Sequence, residues 1–182
     1  MKALTRYALL LRGVNVGKDN SLRMTDLCAI LEEAGCTAVR TYVQSGNAVF
    51  ATRLGTIELT KAIEAALAHH MGRPISTTLR TRAQMTSIVD ANPFAEVATN
   101  PACLCVTFLA RAPKETELAP LRSRDFAPEL FRVSQREIYS WHPNGQGGSP
   151  LAAAIGKLRL PGAVTTRNWN TVRKLLTLLG EG

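Results

Sequence analysis

The sequence has only 4 cysteines, 3 histidines and 2 tryptophans in 182 residues, and it has no long apolar run. No segment approaches the roughly 20 consecutive apolar residues that a membrane-spanning helix needs. The opening MKALTRYALLLRG contains one short apolar run and an early arginine, which is not the pattern of a signal peptide. We therefore expect a folded, soluble, cytoplasmic protein without a membrane partner.

The few cysteines are placed poorly for disulfides or metal binding. Cys28 and Cys36 are eight residues apart in a predicted helix, or about 12 Å, which is too far for a disulfide. Cys103 and Cys105 share one face of a predicted strand, and no second Cys/His pair stands at ligand spacing. We predict reduced, buried thiols, with no metal site and no cofactor.

The charge is basic but spread along the chain. The net charge is +8 and the pI is about 9.8, and residues 1–80 and 81–182 each contribute +4. No basic tail or basic run is present. This distribution permits binding to a polyanion without favouring it, because dispersed charges usually form a solvated surface.

Hydrophobic periodicity predicts the order β-α-β-β-α-β in the first half, which is the split βαβ arrangement. The predicted elements are a strand at 6–11, a helix capped by Thr25 and closed by Gly35, strands at 39–43 and 48–51, a helix capped by Thr56 and ended by Gly72, and a strand at 75–80. A connecting helix follows at 81–91, where Thr81 and Gln84 form a capping box.

The second half repeats this order less clearly. We expect strands at 103–110, 129–134 and 137–141, helices near 114–122 and 150–158, an extended piece near 163–165 and a final helix at 167–179. The predicted fold class is α+β, with two ferredoxin-like (α/β-plait) subdomains, a connecting helix and a C-terminal helix. The predicted domains are 1–80, a connecting helix and loop at 81–101, and 102–182.

Two polar loops should meet at one edge of the first sheet. In a split βαβ unit the first two strands are parallel and the third runs back between them. The loop RGVNVGKDN at 12–20 and the hairpin QSGN at 44–47 must then lie together. This convergence predicts a site for an anionic ligand such as a phosphate, a nucleotide or a carboxylate.

The two loops supply cations and hydrogen-bonding groups. The residues predicted to bind the ligand are Arg12, Asn15, Lys18, Gln44, Ser45 and Asn47. The glycine spacing matches neither a P-loop nor the dinucleotide-binding fingerprint. Alternatively, the first loop is a structural turn with asparagine side chains capping the backbone, and QSGN is an ordinary hairpin turn.

A third polar block, TTRNWNTV at 165–172, precedes the apolar stripe of the final predicted helix. Trp169 lies one turn before that stripe, so we expect it to anchor the core. Thr166 or Asn168 can cap the helix. Capping leaves Arg167 and Asn170 unexplained, and we predict that they also contact the anionic ligand.

No catalytic signature is present in the sequence, so an enzyme of unknown reaction stays an open alternative. Non-specific nucleic-acid binding is a second alternative, suggested by the basic pI and the plait topology. Plait proteins that bind RNA use aromatic side chains on their central strands. Tyr139 and Trp141 share a strand face and could either stack on bases or close a core.

Several motifs together resemble one protein family, called domain of unknown function 1697. They are LLRGVNVG, the helix beginning at Met24, TYVQSGNAVF, ANPF at 91–94 and TTRNWNTVRKLL at 165–176. The resemblance implies a bacterial-type soluble protein of two α/β-plait subdomains and implies no activity. Lys18 stands where the family commonly has glycine, and HPNGQGGSP lacks the basic residue that many members carry before the following helix.

Overall fold

The computed structural model describes residues 3–15 and 21–181, which divide into two compact units. The first unit comprises Met1–Ser87 together with Lys174–Gly182, and the second comprises Ile88–Arg173. Each unit contains one four-stranded antiparallel sheet with flanking helices. The α+β class with two ferredoxin-like subdomains is confirmed, and the three-part division at 80 and 101 stays a prediction.

The first unit has the predicted β-α-β-β-α-β order. Its elements are β1 (Thr5–Leu11), α1 (Met24–Glu33), β2 (Thr37–Tyr42), β3 (Asn47–Thr52), α2 (Thr56–Met71) and β4 (Thr77–Thr81). The strand order in the sheet is β2-β3-β1-β4. Both β1 and β2 pair antiparallel with β3. The first two strands are therefore parallel and β3 lies between them, as the sequence predicts.

The core of the first unit follows from the helical periodicity of α1 and α2. Each helix places an apolar stripe inward at i, i+3 or i+4 spacing. The buried stripe residues are Leu27, Ile30 and Leu31 in α1 and Leu59, Ile63 and Leu67 in α2. Cys36 joins this core, where burial raises the pKa of its thiol to about 11. All four cysteines are free thiols, as predicted, but only Cys36 and Cys105 are buried, while Cys28 and Cys103 are partly exposed.

The second unit repeats the topology of the first. After α3 (Arg82–Asp90), which spans the boundary in the chain, come β5 (Leu104–Leu109), α4 (Glu115–Arg122), β6 (Leu130–Ser134), β7 (Glu137–Trp141), α5 (Pro150–Gly156), β8 (Val164–Asn168) and α6 (Trp169–Gly180), whose residues from Lys174 onward belong to the first unit. The strand order is β6-β7-β5-β8, with all neighbours antiparallel. None of the helices within residues 3–15 and 21–181 is long and apolar enough to cross a membrane.

Three predicted helix starts are wrong. α2 begins at Thr56 itself, and the residue before it, Gly55, is the N-cap without a side-chain capping bond, so Thr56 is not the cap. α1 begins at Met24, and the residue before it, Arg23, makes no side-chain capping bond, so Thr25 is inside the helix. The final helix begins at Trp169 because the β-branched segment before it pairs with β5 as β8. Asn168 accepts a hydrogen bond at Oδ1 from the Thr171 N–H at 3.0 Å and so caps α6.

The predicted capping box of α3 is confirmed, and α5 is capped in a similar way. The Thr81 N–H donates to Gln84 Oε1 at 2.9 Å, and the Gln84 N–H donates to Thr81 Oγ1 at 3.2 Å. Ser149 caps α5 by accepting from the Ala152 N–H at 2.8 Å. These bonds satisfy main-chain N–H groups that a helix start leaves without partners.

Candidate functional site

Three connections of the first unit meet at the edge of the sheet where β1 ends and β3 and β4 begin. We call this region the loop edge, and it comprises residues 12–15, 43–46 and 72–76. The Leu11 N–H donates to the Gly46 carbonyl at 2.9 Å, and the Arg12 N–H donates to the Ser76 carbonyl at 3.3 Å. The predicted meeting of the first two loops is confirmed, and the third segment joins them because β4 pairs with β1.

Gly46 allows the close approach of the hairpin to the first loop. Its φ is +70°, in the left-handed region that glycine tolerates best. A Cβ at this position would lie 2.5 Å from Val14 Cγ2 and 2.8 Å from Leu11 Cβ. Residue 46 must therefore be glycine for the two loops to pack at this distance.

Asn15 fixes the shape of the first loop with both ends of its side-chain amide. Its Nδ2 donates to the Leu22 carbonyl at 2.9 Å and to the Gln44 carbonyl at 2.6 Å. Its Oδ1 accepts from the Leu22 N–H at 2.7 Å. Both amide hydrogens are used within the protein, so Asn15 shapes the loop edge and has no hydrogen left to donate to a ligand.

Asn47 has a similar internal role in the hairpin. It is fully buried, and its Nδ2 donates to the Tyr42 carbonyl at 3.1 Å and to Ser45 Oγ at 2.7 Å. Gln44 and Ser45 themselves are exposed at the tip. Of the three predicted hairpin residues, Gln44 and Ser45 therefore face solvent. Asn47 is buried and holds the turn through its hydrogen bonds to Tyr42 and Ser45.

Two arginines flank Gly13 at the loop edge. Arg12 is exposed and forms no ion pair within the described part of the chain. Arg73 donates from Nη2 to the Gly13 carbonyl at 3.3 Å, and its buried Nε has no hydrogen-bond partner among residues 3–15 and 21–181. The predicted site residue Lys18 lies outside the described residues.

Arg73 was missed by the sequence analysis because it follows Gly72 and precedes Pro74 in a short connection without a motif. The signal that could have identified it is topological. In a β-α-β-β-α-β unit the last connection reaches the same sheet edge as the first loop, so a cation in that connection belongs with the loop.

The carboxylate of Glu64, a residue of α2, is hydrogen-bonded to the first residue of β4. It accepts hydrogen bonds from the Thr77 N–H at 2.9 Å and from Thr77 Oγ1 at 3.0 Å. Residues 12–15, 43–46 and 72–76 contain no histidine, cysteine or acidic residue. Within the described ranges, no three His, Cys, Asp or Glu side chains group closely enough to hold a metal ion.

The polar block at 165–170 belongs mostly to β8 in the second unit. Arg167 lies on this strand rather than at a helix start, and its Nη1 donates to Thr165 Oγ1 at 2.6 Å and to the Thr166 carbonyl at 2.8 Å. Burial lowers the pKa of Arg167 to about 10. Asn170 is exposed in the first turn of α6, and a ligand contact for Arg167 and Asn170 stays a prediction.

The large aromatic residues of the second unit are structural. Trp169 is buried at the start of α6, as predicted. Tyr139 and Trp141 are also buried, and Tyr139 Oη donates to the Ile88 carbonyl at 2.8 Å. These two rings therefore close a core and present no stacking surface for bases.

Comparison with known proteins agrees with this architecture. The model of a family described as "Protein of unknown function (DUF1697)" matches residues 4–139. Among solved structures, the conserved bacterial protein SP0830 from Streptococcus pneumoniae is similar, with 26% sequence identity and a TM-score of 0.81. The alignment covers 97% of this chain and 99% of that protein. No curated protein matches this chain significantly.

Proposed function

The chain belongs to the DUF1697 family, and we propose that it binds a small anionic ligand at the loop edge of its first unit. The observation that carries this proposal is the pair of arginines beside Gly13. Within the described ranges, Arg12 is exposed without an ion pair and the buried Nε of Arg73 has no hydrogen-bond partner. An oxyanion is the natural partner for both groups.

Guanidinium groups suit this role because of their geometry. Each presents several N–H donors in a planar fork, which matches the oxygens of a phosphate or a carboxylate. The positive net charge of the chain also favours the approach of an anion. Arg12 and Arg73 can therefore attract and orient a phosphate, a nucleotide or a carboxylate.

The loop edge is held in place before a ligand arrives. Asn15 bonds the first loop to Leu22 and to the hairpin, and Gly46 packs against Val14 and Leu11. A site that is already ordered loses less conformational entropy on binding. Asn15, Asn47 and Gly46 thus support ligand binding indirectly, whereas Arg12 and Arg73 contact the ligand.

Binding is favoured over catalysis by the groups at this edge. General acid–base catalysis needs a titratable side chain within hydrogen-bond reach of the reacting atoms. The three segments of the loop edge supply none, and Glu64 is occupied by Thr77. The loop edge is therefore proposed to bind a ligand rather than to catalyse a reaction.

A thermal-shift screen with nucleotides, inorganic phosphates and small carboxylates tests this proposal. A ligand present at 100 times its Kd should add about 2.7 kcal/mol of stability. The stabilisation should disappear in Arg12→Ala and in Arg73→Ala. Lys61→Ala is the control, because it removes the same charge from an exposed position in the middle of α2.

Other outcomes of the screen would reject the proposal. If no anion stabilises the protein, or if the shift persists in both arginine variants, the loop edge is not the site. Stabilisation by long polynucleotides alone, with a steep loss on adding salt, would instead support the nucleic-acid alternative.

A further inference from the structure

A buried histidine in the second unit forms a polar network that the anion site does not use. The His142 side chain has 0% exposure. Its Nδ1 lies 2.8 Å from Glu129 Oε1 and 2.9 Å from Ser149 Oγ, and its Nε2 lies 2.9 Å from Ser140 Oγ. In this pattern Nδ1 donates to the Glu129 carboxylate, while Nε2 pairs with the Ser140 hydroxyl.

Glu129 and Ser149 also line a cleft at the surface of this unit. We call it the glycine-loop cleft, and it is lined by residues 126–129 on one side and by the 144–150 loop on the other. Its walls include Phe126, Pro128 and the backbone of three glycines. The cleft thus combines an apolar wall, main-chain groups and one carboxylate.

The Glu129 carboxylate retains capacity for a further donor. Its Oε1 accepts from His142 and its Oε2 accepts from the Leu151 N–H at 3.0 Å. Although burial opposes ionisation, hydrogen bonds from Ser149, His142 and the Leu151 backbone lower the pKa of Glu129. An ionised carboxylate accepts about four hydrogen bonds, so the His142 and Leu151 donors leave acceptor capacity on Glu129. The side chain is 10% exposed, so a small donor can reach it.

The lining of the cleft has the opposite electrostatic character to the rest of the chain. No lysine or arginine lines it, although the whole sequence carries 22. Phe126 already interacts with a cation, because the Arg124 guanidinium carbon lies 5.0 Å from the centre of its ring. A carboxylate and an aromatic ring, with no basic side chain among the lining residues, favour a positively charged hydrogen-bond donor.

We propose that the glycine-loop cleft binds a small primary ammonium group. The ammonium donates to the remaining acceptor position of Glu129 and to carbonyl groups of the 144–148 loop. The aliphatic part of the ligand packs against Phe126 and Pro128. This site lies wholly within the second unit and does not depend on anion binding at the loop edge.

Titration with n-propylammonium chloride, followed by ¹H–¹⁵N NMR, tests the proposal. We expect saturable shifts of the Gly145, Gly147 and Gly148 amide signals. Tetramethylammonium at equal ionic strength carries the same charge without an N–H donor, and it should not produce them. Absence of saturable shifts with propylammonium, or equal shifts with tetramethylammonium, would overturn the proposal.

Two variants locate the bound ammonium. Glu129→Gln removes the charge with little change of shape, and we expect it to weaken propylammonium binding at least tenfold. Glu129→Gln also changes the hydrogen bonds of Glu129 to His142 and Leu151. A second variant therefore leaves Glu129 and these hydrogen bonds unchanged. Asn144→Lys places a positive charge on an exposed lining residue and should weaken binding by a similar factor. Unchanged affinity in a folded Asn144→Lys protein would contradict this location.

Discussion

Asn15 and Leu22 are joined through both ends of one side-chain amide. The Asn15 Nδ2 donates to the Leu22 carbonyl at 2.9 Å, while the Leu22 N–H donates to Asn15 Oδ1 at 2.7 Å. The side chain thus pairs with the backbone as a neighbouring strand would. It holds the start of the loop against the residues that lead into α1, and Leu22 is buried beside it.

Asn15→Ala should therefore destabilise the protein by about 1–3 kcal/mol, because buried main-chain groups lose their partners. The φ of +56° at this position adds to the loss, since alanine tolerates the left-handed region less well than asparagine. Urea denaturation measures the change. Asn170→Ala, at an exposed position, is the control and should change stability by less than about 0.5 kcal/mol.

Asn15→Asp separates the two ends of the amide. The carboxylate keeps the acceptor for the Leu22 N–H but loses both hydrogens that reach Leu22 and Gln44. We expect a loss of stability nearly as large as that of Asn15→Ala at pH 7, measured by the same denaturation. Wild-type stability in the aspartate variant would show that the donors contribute nothing.

Gly46→Ala should destabilise the protein by about 2 kcal/mol or more. The new methyl group would meet Val14 and Leu11 at less than 3.0 Å, and the left-handed φ adds about 1 kcal/mol. Gly147→Ala is the matched control, because a Cβ there meets no atom within 4 Å. Equal melting temperatures of the two variants would mean that the two loops can move apart without loss of stability.

Trp169→Ala should cost about 3–5 kcal/mol, as expected for removing a large buried side chain. Trp169 is 8% exposed and begins the buried stripe of α6 with Val172 and Leu175. The neighbouring Asn170→Ala should be nearly neutral, since that side chain is exposed. Guanidinium denaturation of the pair tests the core role of Trp169, and a small loss on its removal would contradict it.

The Glu129 carboxylate should make the stability of the protein depend on pH in the acidic range. Its pKa is lowered from the ordinary value of 4.5 in the folded state, so its contribution to stability is complete above that value. As the pH falls from 4.5 through the folded pKa, the carboxyl takes up a proton and the contribution is lost. Glu129→Gln should lack this part of the pH profile, which chemical denaturation from pH 7 to pH 3 measures. An unchanged profile in the variant would assign the acid sensitivity to other carboxyls.

Much of the topology could be predicted from the sequence because apolar periodicity reports directly on burial. The apolar stripe of α2 and the short apolar runs of the central strands identify these elements, and strand order then follows from the split βαβ rule. The start of α6 could not be found this way, because Arg167 and Asn168 fit a strand end and a helix start equally well. Pairing of β8 with β5 decided the boundary.

The candidate site was only partly predictable. The meeting of the first two loops follows from topology, but the direction of each amide does not. Asn15 and Asn47 read as ligand donors in the sequence, while the structure shows their hydrogens bonded to main-chain and side-chain oxygens within the unit. Arg73 is identified as a residue of this site only by its hydrogen bond to the Gly13 carbonyl in the structure. Short polar loops encode little about such contacts, because many arrangements satisfy the same residues.

Anion binding by Arg12 and Arg73 at the loop edge is tested most directly by ¹H–¹⁵N NMR titration. The probes are ATP, inorganic phosphate and citrate, added at low ionic strength to the wild type and to the Arg12→Ala/Arg73→Ala double variant. We predict that at least one probe shifts the Gly13, Val14 and Gly46 amide signals saturably, and that the double variant binds it at least tenfold more weakly. No saturable shift with any probe, or equal affinity in the double variant, would contradict the account.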